Sequence, residues 1–435
     1  MKNMSMKKWL ALVMGICMML TMLPVAVAEE AGMDNLPVKD MEGRVFRIHN
    51  GSNGNRDNYD DWLLELEETY NCKIEYVNAG DYSTIANSIM GGDPLADIIV
   101  MNDTYFYNFV NRKLLLDLNS LEYIYPDDAD YYWQGVTEIA TVGDKCYGVD
   151  SGTGPLRRIL VYNKNLINGE DDLQLLQEKG ELTWEKLAEV LQKVVNGGKG
   201  GLSGQMYPSD VVETFIAANG GRIFERDGLT FNYAYDTQNT RNAIAFVQEM
   251  YKNGLVTDNP GNWQYPQSQF AKGKVGAFIA DGWNLSYIYQ KAKFEIGMVL
   301  MPMGPDAPAQ DHGLVDYTVF SCYAIAATTE NPEDVALIYS AYIKAVNENE
   351  GGKQNWRLAW EDTVDDEKNM EVLEAYVTAV DNGTCFVDYK NAVTSLYDDG
   401  LFEWQEGATK ALVTPQAYLE AVSAIYKAKA EDFNK

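Results

Sequence analysis

Between residues 44 and 101 the chain switches repeatedly between the two hydrophobic periods that separate strands from helices. Arg44-Val45-Phe46-Arg47-Ile48-His49 reads as a strand, and residues 60–70 place Leu63, Leu66 and Tyr70 on one helical face. Residues 73–77 predict a second strand, residues 83–90 a second helix, and residues 96–101 a third strand whose apolar run is almost unbroken. Such a run suits a strand covered on both faces, and alternation at this rhythm predicts a parallel sheet flanked by helices. The fold class is therefore α/β. The same feature places function, because ligands of open α/β sheets sit beyond the carboxyl ends of the strands. The polar loop Asn50-Gly51-Ser52-Asn53 follows the first strand, and Asn102-Asp103 follows the third.

A second unit of the same kind begins in the middle of the chain. Residues 159–162 predict a strand. Thr183 caps a helix on which Leu187, Val190, Leu191, Val194 and Val195 form one stripe, stopped by Asn196-Gly197-Gly198. Helices are expected over residues 211–219 and 237–253, and the short apolar strand Ala277-Phe278-Ile279 ends at Asp281-Gly282-Trp283. Asn331-Pro332-Glu333-Asp334 has cap, proline and acidic first turn in the order that opens a helix. From Met370 onward the pattern is mostly helical.

The N-terminus carries Lys2, Lys7 and Lys8 before an apolar run from Trp9 to Leu23. Pro24 breaks that run, and Ala26-Val27-Ala28 supplies the small residues of a cleavage site, so residues 1–28 read as a secretory signal peptide cleaved after Ala28. The run is shorter than the ~20 apolar residues a spanning helix needs. Ile16, before Cys17, stands where a lipoprotein signal needs a small residue, so a lipid anchor is not expected. Cleavage takes the formal charge of −29 to −32, a field that repels nucleic acid and anionic lipid and excludes both as partners. Cys72, Cys146, Cys322 and Cys385 remain, too few for a disulfide scaffold; buried free thiols and two disulfides of unspecified pairing both stay open.

Little of the sequence suits catalysis. There are two histidines, His49 and His312, and no His-Glu-x-x-His, Gly-x-Ser-x-Gly, phosphate loop or Cys-x-x-Cys. Among 64 acidic residues no pair stands out as the carboxylates of a glycosidase. The oxygen-rich residues 50–61 lack the spacing of a calcium-binding loop, and no metal or cofactor is expected. The 28 tyrosines and 9 tryptophans point toward binding, since the C–H faces of sugars stack on aromatic rings, although most rings must pack the core.

Ser88-Ile89-Met90-Gly91-Gly92-Asp93-Pro94-Leu95-Ala96-Asp97 is similar to the Ala-Gly-Asp-x-Pro-Asp element of the family 1 extracellular solute-binding proteins of ABC transporters. Val161-Tyr162-Asn163-Lys164 resembles that family's Tyr-Asn-Lys, Thr183-Trp184 its Thr-Trp helix start, and Ala218-Asn219-Gly220-Gly221 its Asn-Gly-Gly turn. Phe270-Ala271-Lys272-Gly273-Lys274-Val275-Gly276-Ala277, with Trp283 downstream, resembles Phe-x-x-Gly-Lys-x-Ala-Met and its tryptophan. Met301-Pro302-Met303-Gly304-Pro305 and Asn331-Pro332-Glu333 complete the series, in family order across residues 40–345.

The resemblance, to the carbohydrate-type, maltose-binding-protein-like members, implies a two-lobed periplasmic-binding-protein-like fold. Each lobe would be a mainly parallel sheet flanked by helices, with a hinge between them. Residues 40–156 and 318–365 would form the first lobe, and residues 157–317 and 366–435 the second. Crossings are expected near residues 150–160 and 314–320, where Gly152, Gly154 and Gly313 would let the backbone flex. The implied function is capture of a small solute, an oligosaccharide or sugar, and its delivery to the membrane subunits of an ABC transporter by an exported monomer. A peptide, polyamine or other solute, and a secreted carbohydrate-active hydrolase, are the alternatives. Trp283 is the leading ligand contact, because family position and strand-end placement agree. Asp281, Asp103, Asn102 and Asn50 follow as hydrogen-bonding groups on strand-end loops, then Asp150, Asp316 and Tyr317 near the crossings. His49 also ends a strand beside such a loop. For each polar residue, turn formation or solvation is the competing role.

Overall fold

The computed structural model describes residues 32–49, 60–78, 81–150, 152, 156–259, 262–307, 313–317, 320–364, 366–394 and 401–435. The expected signal peptide, Asn50, most of residues 50–61, Gly154 and His312 lie outside the described residues. The first unit opens as the alternation predicts, with β1 (Arg44–His49), α1 (Asp61–Tyr70), β2 (Cys72–Val77), α2 (Tyr82–Met90), β3 (Ile98–Asn102) and α3 (Asp103–Asn111). Strands β1, β2 and β3 pair in parallel. The short helix α4 (Gln134–Ile139) and the hairpin of β4 (Thr141–Val142) and β5 (Lys145–Cys146) follow.

The second unit contains β6 (Ile159–Asn163), α5 (Leu173–Glu178), α6 (Trp184–Asn196), β7 (Gly200–Ser203) and α7 (Ser209–Ala218). Next come the hairpin of β8 (Phe224–Asp227) and β9 (Thr230–Tyr233), then α8 (Gln238–Lys252), α9 (Gln264–Ala271), β10 (Val275–Ala280), α10 (Gly282–Lys291) and β11 (Ile296–Leu300). Its sheet has the order β11-β6-β10-β7. Strand β7 runs parallel to β10, whereas β6 runs antiparallel to both neighbours. The chain then returns to the first sheet as β12 (Ser321–Ile325), antiparallel to β3, giving the order β12-β3-β1-β2. Three of four strands thus run one way in each sheet. The remainder is helical: α11 (Pro332–Asn349), α12 (Leu358–Glu361), α13 (Glu367–Asp381), α14 (Lys390–Val393), α15 (Leu401–Thr409) and α16 (Pro415–Phe433).

Local chemistry explains most element ends. The Thr183 side chain accepts from the Lys186 N–H to cap α6, whose buried face carries Leu187, Val190, Leu191 and Val194. Thr237 and Thr414 cap α8 and α16 in the same way. Helix α11 departs from its expected start. Asn331 makes no side-chain cap bond and adopts a left-handed backbone (φ 45). Pro332 fixes the first turn, while Asp334 pairs with Lys39 and Arg44 and ties α11 to the start of β1. At Gly313 the backbone itself calls for glycine. Its φ of 121 is accessible to glycine, and a Cβ there would lie 2.6 Å from the Met301 carbonyl.

The chain leaves the first sheet after Val149, which bridges Tyr323, and enters β6 at Ile159. It returns past Leu314, bridged to Met301, and Asp316, bridged to Phe386. Among the described residues no helix is long and apolar enough to cross a membrane.

All four described cysteines are free thiols; Cys72, Cys146 and Cys322 are buried and Cys385 half-buried. Burial pushes Cys72 and Cys146 up to about 11 and Cys385 up to about 12. Thiol reagents attack the thiolate, so native protein at neutral pH should be labelled at these positions only after unfolding in guanidinium. Labelling of Cys72 or Cys146 within minutes under native conditions would contradict this packing.

Candidate functional site

The site is built from the carboxyl ends of both sheets. At the end of β1, His49 is buried, edge-on to the Tyr82 ring at 5.3 Å, and its Nδ1 has no partner. Burial lowers its pKa. Tyr82 opens α2, donates to the Val100 carbonyl (2.7 Å) and stacks on Tyr105 in the first turn of α3 at 4.2 Å. Tyr105 is 39% exposed, unusually open for a ring already stacked. Beside it, Asn102 keeps a buried Oδ1 without a partner. Asp103 accepts from the Thr104 N–H (3.0 Å) and the Asn391 amide (2.7 Å). The first sheet therefore offers an aromatic shelf with polar atoms beneath it.

The second sheet offers a matching arrangement. Strand β10 ends at Ala280, and Asp281 and Asn284 form a reciprocal capping box that opens α10. The Asp281 carboxylate also accepts from the Arg158 N–H (3.1 Å) and lies 3.4 Å from Arg157 Nε. Trp283 follows in the first turn of α10 and is 50% exposed, edge-on to Trp263 (45% exposed) at 5.7 Å. Trp360 leans over the same turn, since a Cβ at Gly282 would come within 3.2 Å of its ring. The indole N–H of Trp360 and the Nε of Arg157 are buried without hydrogen-bond partners. Trp184 makes the contrast plain. It is buried against Phe215 and donates to the Pro302 carbonyl (2.8 Å), as expected of a packing residue.

Between the two ends lies a buried network of charge. Arg158 pairs with Asp316 of the return crossing and with Glu213 of α7 (2.9 Å). Lys390 also reaches Glu213 (2.5 Å). Burial alone would push Glu213 up, but Lys390 and Arg158 hold it at about 2. Asp210 accepts from the N–H groups of Met206 and Tyr207, and Asp388 from those of Ile223 and Phe224. These groups line a cavity of about 200 Å³. A wider depression of about 1180 Å³ lies between α5 and α13, and none of its lining polar atoms is buried without a partner.

The residues singled out in the sequence fall into two groups. Trp283, Asn102 and Asp103 stand at strand ends, Asp103 being buried and already bonded to Thr104 and Asn391. Asp281, Asp150 and Asp316 are buried and engaged by protein groups, Asp150 accepting from the Gly152 N–H at 2.9 Å. Tyr317 is fully buried with an unpartnered hydroxyl. Asn50 lies outside the described residues. Sequence reasoning missed Arg157, Arg158, Tyr82, Tyr105, Trp263 and Trp360 as members of this site. The arginine pair within the expected crossing is the available signal, and Tyr105 sits two residues after Asp103.

Residues 63–351, well over half of the chain, match the model of a family described as bacterial extracellular solute-binding protein. No curated protein matches the sequence. Among solved structures, the GacH receptor of Streptomyces glaucescens GLA.O, determined unliganded and with acarbose and an acarbose homolog, superposes with a TM-score of 0.64. The two chains are 14% identical, over 90% of this chain and 99% of that one, so the likeness is one of two-lobed fold.

The buried carboxylates set a pH response. Burial pushes Asp103, Asp210 and Asp388 each up from 3.8 to about 6. The folded protein keeps protons there that the unfolded chain has released. This stabilisation is complete below the unfolded value and is lost as pH rises through about 6. His49, with its lowered pKa, opposes it, so single variants isolate the effect. Between about pH 7.5 and pH 5, Asp210→Asn and Asp388→Asn should each gain about 1 kcal/mol less stability than the parent, measured by denaturant unfolding. Parallel pH curves for parent and variants would contradict the assignment.

Proposed function

This chain belongs to the bacterial extracellular solute-binding proteins, and from that premise we propose that its solute is an oligosaccharide or sugar held between the two lobes. The observation that carries the reading is the pair of exposed aromatic shelves, Trp283 with Trp263 on one sheet and Tyr105 with Tyr82 on the other. A sugar ring presents C–H faces to such shelves and hydroxyls to the polar atoms between them, here Asn102, Asp103, Arg157 and Trp360. Asp281, Asp150, Asp316 and Tyr317 support from behind, holding the arginines and the crossings. The acarbose bound by the GacH receptor is in keeping with this solute class.

In the same reading the lobes comprise residues 40–156 with 318–365 and residues 157–317 with 366–435. The chain acts by binding and release, without catalysis, as a monomer whose lobe tips meet the membrane subunits of an ABC transporter. Export follows cleavage after Ala28, without a lipid at Cys17. Contacts made to both lobes at once stabilise the closed form and shift the population toward it.

Calorimetric titration of sugars into the purified protein tests the reading. Replacing Trp283 by Ala should weaken binding of the best sugar about tenfold or more, with Trp283→Phe intermediate. Unchanged affinity in Trp283→Ala would remove this shelf from the site. Thermal stabilisation by polyamines or peptides, with none by sugars, would overturn the solute class. Turnover of a glycan by purified protein would overturn the assignment as a binder alone.

A further inference from the structure

Helix α3 faces both lobes within three residues. Asp103 and Tyr105 meet the strand-end site. Tyr107 lies two positions beyond Tyr105, roughly 200° around the helix, and is fully buried on the face that also carries Asp103. Its hydroxyl donates to the Ile139 carbonyl (2.9 Å) in its own lobe, but its ring belongs to the other. Phe231 of β9 meets it edge-on at 5.3 Å, and Tyr389, just before α14, at 5.8 Å. Arg226 of β8 lies over both tyrosine rings, 5.2 Å from Tyr107 and 5.4 Å from Tyr389. It also donates to the Thr141 carbonyl of the first lobe at 3.1 Å. Phe231 is braced from behind by Phe433 at 4.8 Å and by Asn434, which both donates to and accepts from its backbone. At the other end of the same turn, Asn391 of α14 holds the Asp103 carboxylate, while its neighbour Lys390 is anchored on Glu213.

We propose that this grip on α3 sets the resting angle between the lobes, making Arg226, Tyr389 and Asn391 positioning residues for solute capture. The inference rests on the reading that solute is held between the lobes. Its physical basis is that the grip attaches one lobe to the other beside the return crossing, where Phe320 meets the Tyr107 ring edge-on at 6.1 Å. The chain crossings alone leave a hinge free to swing, and a side-chain attachment between the lobes removes part of that freedom. Opening the grip would expose Tyr107 and Phe231 and strip a guanidinium of two ring faces, so it persists as a pivot while the strand-end loops approach each other. The pivot also couples the site to the angle. The turn that presents Asp103 and Tyr105 to solute is the turn that the second lobe holds. Loosening it widens the resting distribution and lowers the fraction of molecules poised to close. Apparent affinity falls by that fraction, with no change in which solute is preferred.

Spin labels on the exposed positions Leu64→Cys and Lys272→Cys report the angle by pulsed dipolar spectroscopy on protein without solute. Arg226→Met should broaden the distance distribution between the labels or shift it to longer distances, and Arg226→Lys, which restores a cation, should return it toward the parent. Solute affinity should fall about fivefold in Arg226→Met, with the rank order of solutes kept. An unchanged distribution in folded Arg226→Met overturns the proposal. If that variant does not fold, Asn391→Ala is read in the same way. The distance measurement needs no solute, so it stands or falls apart from the sugar reading. Failure of every sugar to bind, alongside a broadened distribution, would overturn the solute class and leave the pivot supported.

Discussion

Arg158 is the charge that fixes the start of the second sheet against the return crossing. A guanidinium keeps its proton at any pH a folded protein meets, so burying one obliges the fold to bring carboxylates to it. Asp316 comes from the return crossing and Glu213 from α7, so one side chain joins three separate stretches of chain. The Arg158 backbone is left-handed (φ 52), at a cost of about 1 kcal/mol for a residue with a side chain. That conformation persists because the ion pairs and the bond from its N–H to Asp281 over-determine it. Asp281 in turn caps α10, and Trp283 stands two residues further on. The exposed Trp283 ring is thus aimed by a buried ion network several residues away.

Much of this was legible in the sequence, for a physical reason. Strand and helix periods are local, and so are the caps at Thr183 and Thr237 and the apolar run that ends at Asn102. Those elements stand within a residue or two of where the pattern puts them. Asp281 shows where local reading stops. Its strand-end position marks a site residue, yet its oxygens are taken by Asn284, Arg157 and Arg158, two of which lie more than a hundred residues away in sequence. The aromatic residues pose the same difficulty. Trp184 and Trp283 each open a helix at a family motif, but only tertiary packing makes one buried and the other half-exposed. The attachment of Tyr107 to Arg226 and Tyr389 joins stretches more than a hundred residues apart and leaves no periodic trace.

The two shelves are held in place by their own ring packing. Tyr105 is already stacked and Trp283 already edge-packed, so neither ring has all of its rotamer freedom left to lose on binding. Each still presents apolar surface to water, and covering it contributes about 25 cal/mol per Å². Beside the shelves, the buried Asn102 Oδ1 and Trp360 Nε1 have no hydrogen-bond partner and carry a desolvation penalty. Apolar faces and polar atoms thus lie side by side, the pairing on which the proposed sugar site rests.

The position of β12 bears on how the chain becomes a folded protein. This strand pairs with β3 across more than two hundred intervening residues, and α11 behind it packs on α1. The first sheet lacks an edge until the whole second unit has emerged. Contacts of such long range are slow to form, because a large loop must close before they contribute. During synthesis the early strands therefore wait, unpaired on one side, for a partner that arrives late. For an exported chain, the delay means that the first sheet cannot be completed before the strand beginning at Ser321 has been made.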